Sequence, residues 1–135
     1  MKLHLKTIAI VLVLGFASSA NAESQSHWVQ VEGGSWVPST ETISRIKGQI
    51  ESFVRTQAKA GGRELHDWKT YTFQYQGQEE SGKKFVFVNA FCVNDKRWKL
   101  NKKMVLVLDG GTCFFNVKYD PEKNQFFGLT INGEA

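Results

Sequence analysis

The chain has 135 residues, 17 of them Lys or Arg and 13 Asp or Glu, for a formal net charge of +4. Residues 1–22 have the three parts of an export leader: Lys2 and Lys6, an apolar run over 8–16, and Ala20-Asn21-Ala22 as an A-x-A cleavage pattern. Removing them leaves 15 basic against 13 acidic residues in a single domain over 23–135. A balance of +2 on an exported domain that size argues against a nucleic-acid partner, several domains or a membrane-spanning role.

The domain begins with a short alternating stretch, residues 27–32, which predicts an edge strand ending at Gly33-Gly34. Ser39 or Thr40 then caps a helix with Glu41 in its first turn. Ile43, Ile46, Ile50, Phe53 and Val54 recur at spacings of three and four, an apolar stripe, until Gly61-Gly62 ends the helix. Burying each of those side chains is worth about 2 kcal/mol, so the helix needs a sheet to lie on. Gly48 interrupts its polar side with no sequence reason.

The stretches that follow predict that sheet. Residues 65–76 alternate, a polar loop over 76–83 turns the chain, and 84–93 return with both faces apolar. Residues 104–108, MVLVL, form a continuous apolar run, as in a strand covered on both sides or at a subunit contact, and Asp109-Gly110-Gly111 breaks it. Residues 112–119 alternate, Asp120-Pro121 starts a turn, and Phe127, Leu129 and Ile131 form the apolar row of a last strand. The fold class is α+β, with one long helix packed on a four- or five-stranded antiparallel sheet.

Cys92 and Cys113 are an even pair behind an export leader, which favours a disulfide between strands. Closing the loop between them stabilises by about 3 kcal/mol. The spacing is not that of a thiol–metal site, and no ligand cluster or cofactor motif accompanies it, so no metal and no cofactor are expected. His27 and His66 are the histidines left after the leader, with no nucleophile motif beside them, and the chain is read as non-enzymatic.

A leader, one helix and an antiparallel meander resemble the cystatin fold in element order. Cystatins inhibit with an N-terminal glycine, a Q-x-V-x-G hairpin loop and a Pro-Trp second loop. Gly33-Gly34 stand in the place of the first, whereas Phe73 and Tyr75 stand where Gln and Val belong in residues 73–77, and no Pro-Trp pair occurs. The pattern from Asp109 to Asp120, with the ending N-G-E-A, is similar to a family of small uncharacterised secreted bacterial proteins and implies no function.

Binding is the function class that survives. The candidate partner-binding residues are Gln74, Gln76 and Gly77 in one loop, and Lys96, Arg97, Trp98 and Lys99 in the most basic segment, 96–103. A plainer reading makes the second a solvated loop whose Trp98 folds back on the core. Phe85, Phe87, Phe91, Phe114 and Phe126 are expected on the sheet face away from the helix, exposed for a partner or covered by Trp36 or the basic loop. The expected role is a periplasmic or secreted module that blocks another protein, such as a hydrolase or toxin, with an anionic envelope polymer as a further partner. The alternatives are a small-ligand carrier with its ligand between helix and sheet, and a structural envelope component or homodimer.

Overall fold

The structure, a computed structural model, describes residues 26–134 and Gly15. The expected export leader, Gly15 apart, lies outside the described residues. The elements run β1 (His27–Gln30), α1 (Thr40–Ala60), β2 (Thr72–Glu80), β3 (Lys83–Phe91), β4 (Phe114–Asp120) and β5 (Gln125–Ile131), and the sheet order follows the chain. This is an α+β fold with one helix on a five-stranded sheet. β2 to β5 are antiparallel, but β1 runs parallel to β2, because a strand–helix–strand crossover returns the chain in its starting direction.

Ser39 caps α1 by accepting the Thr42 N–H. Ile43, Ile46, Ile50, Val54 and Ala58 are buried against Phe73, Val86, Val88, Phe115, Val117 and Tyr119. Phe53 is half-buried at the edge, stacked on Phe126. The interior between helix and sheet is filled by these side chains, with Trp28 stacked on Phe73 at 4.4 Å.

The expected loop over 76–83 is strand instead. β2 continues to Glu80 and turns through Ser81 and Gly82, both at positive φ (50° and 79°), into β3. Gln76, Gln78, Glu79 and Glu80 are polar because they lie on a hairpin arm with much of its surface in water, not because they form a loop. Gln74, Gln76 and Gly77 are therefore mid-strand, paired with Asn89, Phe87 and Val86.

A second departure is in β5. Tyr119 pairs with Phe126 and Lys118 with Phe127, but Asn116 pairs with Thr130 and Phe115 with Ile131. The register shifts between them at Gly128, whose φ is +61°. The bulge swaps the faces, so Phe126 turns to the helix and Phe127 to the other side, and the expected row of Phe127, Leu129 and Ile131 is broken.

The third is the run 104–108, which pairs with no strand among the described residues. Between β3 and β4 the chain makes an excursion, tied at its base by the Cys92–Cys113 disulfide across 21 residues. Residues 100–109 return as a strap over the sheet face opposite the helix.

Candidate functional site

Three buried amides hold that strap. The Gln74 side chain, 0 % exposed in the middle of β2, donates from Nε2 to the carbonyls of Leu100 and Lys103 (2.8 and 2.7 Å). Its Oε1 accepts the Val105 N–H at 2.8 Å and an Asn89 Nδ2–H at 3.2 Å. Asn89, directly opposite on β3, also donates to the Val105 carbonyl at 2.6 Å. Asn132, just beyond β5, donates to the carbonyls of Val107 and Asp109. Each amide would cost 1–3 kcal/mol to bury unpaired, by order of magnitude. Side chains thus supply the hydrogen bonds that a neighbouring strand would otherwise give.

The strap and the basic loop before it enclose a cleft of about 550 Å³, lined by Arg97, Trp98, Lys99, Lys102, Lys103 and the strap residues Met104, Val105, Leu106 and Val107. Trp98 is half-buried, its ring edge-on to Phe91 at 5.4 Å, so it forms a fixed wall. A turn sets the mouth. Asp95 accepts the Arg97 main-chain N–H and grips its guanidinium at 2.6 Å. The Arg97 side chain, and then its main-chain N–H, hold the Asp95 carboxyl below the usual carboxylate range. Lys102 is drawn to Glu32 at 2.7 Å. Lys99 and Lys103 have no ion-pair partner among the described residues, and they give the cleft its uncompensated positive charge.

The structure brings together Arg97, Trp98 and Lys99 of the residues picked from sequence. Lys96 is exposed on the same loop but outside the cleft lining. The other group separates from them. Gln74 lies buried beneath the strap, and Gln76 is half-buried with its Nε2 on the Glu32 carbonyl. Gly77 is covered by Trp36, whose carbonyl a Cβ at that position would strike. None of these three forms a presented loop. Lys102, Lys103, Met104, Val105, Leu106 and Val107 are the lining residues that were not singled out. The lysines belong to the basic run, but only the amide latches place Leu106 beside them.

The outer phenylalanines are mostly covered. Phe85 and Phe91 are buried, and Phe87 and Phe114 are half-buried. Lys118 lies over Phe85 at 5.1 Å and Trp98 covers Phe91. Among the described residues the exposed large apolar side chains include Leu106 and Leu108, at 67 % and 98 %.

His27 and His66 are exposed, and both cysteines are bridged. No group of three or more His, Cys, Asp or Glu among the described residues is placed to hold a metal ion. No helix of the described residues is long and apolar enough to cross a membrane. No protein-family model, no curated protein and no solved structure matches the chain.

Proposed function

We propose that this chain is an exported, non-catalytic binding module of cystatin-like build, and that the cleft of the 92–113 excursion is where it takes an acidic protein partner. The observation that carries this reading is the cleft itself: an apolar strap and a fixed tryptophan beside two uncompensated lysines. A site of that composition buries apolar surface while attracting negative charge. The leader pattern over residues 1–22 and the bridged cysteines support an oxidising compartment outside the cytoplasm. The side chains buried between helix and sheet favour a surface site over a carrier whose ligand sits inside the core. Occlusion of a hydrolase or toxin surface is what such a module can do without chemistry of its own.

The test compares the native chain with a Lys99→Ser, Lys103→Ser double variant on poly-glutamate. The native chain should bind at low salt, and the variant should bind at least tenfold more weakly at unchanged melting temperature. Equal binding by the two would reject the cleft as the acidic-partner site.

A further inference from the structure

The strap uses only half of its main chain. The carbonyls of Lys103, Val105, Val107 and Asp109, with the N–H of Val105, all go to the amides of Gln74, Asn89 and Asn132. Carbonyls two residues apart share a direction where the chain is extended, and the residues between them then aim their N–H and C=O groups the opposite way. Those residues are Met104 and Leu106, with Leu108 at the bend that follows. Among the described residues their main-chain groups meet no protein partner. Residues 104–107 run unpaired along the sheet face, one side fastened to it and the other open.

Exported proteins with exposed strand edges usually blunt them with a charge, a proline or a bulge along the edge. Residues 104–108 carry none of these, and Leu106 and Leu108 stand exposed along them. The cations sit at the end of the strand, on Lys99 and Lys103, where they border the cleft rather than block the edge.

Resting on the reading of the cleft as an acidic-partner site, we propose that the open edge of residues 104–108 takes an extended acidic segment of the partner as an added strand. Main-chain hydrogen bonds to Met104, Leu106 and Leu108 would supply affinity. Alternate side chains of the guest would supply specificity: carboxylates toward Lys99 and Lys103, apolar groups over Leu106. Charge decides the occupant. An acidic segment neutralises Lys99 and Lys103, neither of which has an ion-pair partner among the described residues. The latches make the edge ready for use, because Gln74 and Asn89 hold Val105 fixed and the host strand loses little freedom on binding.

The probe is a capped ten-residue peptide alternating Glu and Val, titrated by calorimetry into the full chain. Two controls are the same peptide N-methylated at alternate residues and a poly-glutamate decamer. N-methylation removes main-chain donors without changing charge, and losing about two hydrogen bonds should weaken binding about 30-fold. Leu106→Pro deletes the host's central donor and should weaken the unmodified peptide while leaving poly-glutamate unaffected. Persistent slow exchange of the Val105 amide in that variant would show that the strap is still fastened. Equal affinity of methylated and plain peptides overturns the added strand and leaves the cleft's acidic preference standing. Failure of all three probes to bind overturns both. Self-association mapped to residues 104–108 would assign the edge to a second copy and overturn the proposal as well.

Discussion

Replacing Gln74 with Leu keeps the side-chain volume and removes four hydrogen bonds, to Leu100, Lys103, Val105 and Asn89. At about 1 kcal/mol net each the upper bound is about 4 kcal/mol. The strap carbonyls lie near the surface and recover water once released, which brings the expected loss to about 2–3 kcal/mol. For a domain of this size that is a fall of roughly 10 °C in melting temperature. Urea unfolding gives the energy, and amide exchange locates it: Val105 should become fast while the centre of β3 stays slow. The comparison is Gln76→Leu, which breaks two bonds near the surface, to the Glu32 carbonyl and from the Gln78 side chain, and should cost about 1 kcal/mol. If Gln74→Leu and Gln76→Leu unfold alike and Val105 keeps its protection, the buried amide is not what holds the strap.

Four smaller predictions follow from other parts of the fold. Thiol labelling of the unreduced chain should find no free cysteine, and Cys92→Ser with Cys113→Ser should cost about 3 kcal/mol by urea unfolding. Gly48 sits on the exposed side of α1, where a Cβ would meet nothing, so Gly48→Ala should stabilise by about 0.5–1 kcal/mol in thermal melts; no contact in the structure explains the glycine. The Asp95 carboxyl should titrate below 3.8 by NMR and move back up in Arg97→Ala, since the guanidinium is the larger cause of its depression. The buried Tyr71 hydroxyl donates to the Thr112 carbonyl, and burial raises its pKa above 10.0 despite the His66 N–H and the Arg55 charge. Its folded state holds the proton more tightly than the unfolded chain, so the stability is complete below pH 10 and is lost as pH rises through the folded value. The urea midpoint should therefore fall steeply above pH 10, and less steeply in Tyr71→Phe.

What the sequence made legible was set by periodicity and by local chemistry. The helix, its Ser39 cap, the strands around Val88 and Val117 and the cysteine pair all follow from residues near one another in the chain. What it hid depends on parity and on distant partners. Gly128 admits a bulge, and a single extra residue turns Phe126 inward and Phe127 outward. Ser81-Gly82 makes a two-residue turn, and so Gln74 and Gly77 become strand rather than loop. The run 104–108 looks like any buried strand, because the amides that replace its neighbour come from residues 74, 89 and 132. Of the candidate site, the basic half with Trp98 could be found from charge; the strap half could not, since Leu106 reaches the lysines only through those latches.

The central claim is that partner binding belongs to the cleft of the 92–113 excursion. Mapping amide shifts across the chain during titration with the Glu–Val peptide tests it most directly. Shifts should concentrate over residues 97–107, saturate together and fade with salt. Shifts clustered instead in the groove beside Gly48, Ser52, Phe53 and Phe126, with residues 97–107 unmoved, would contradict it.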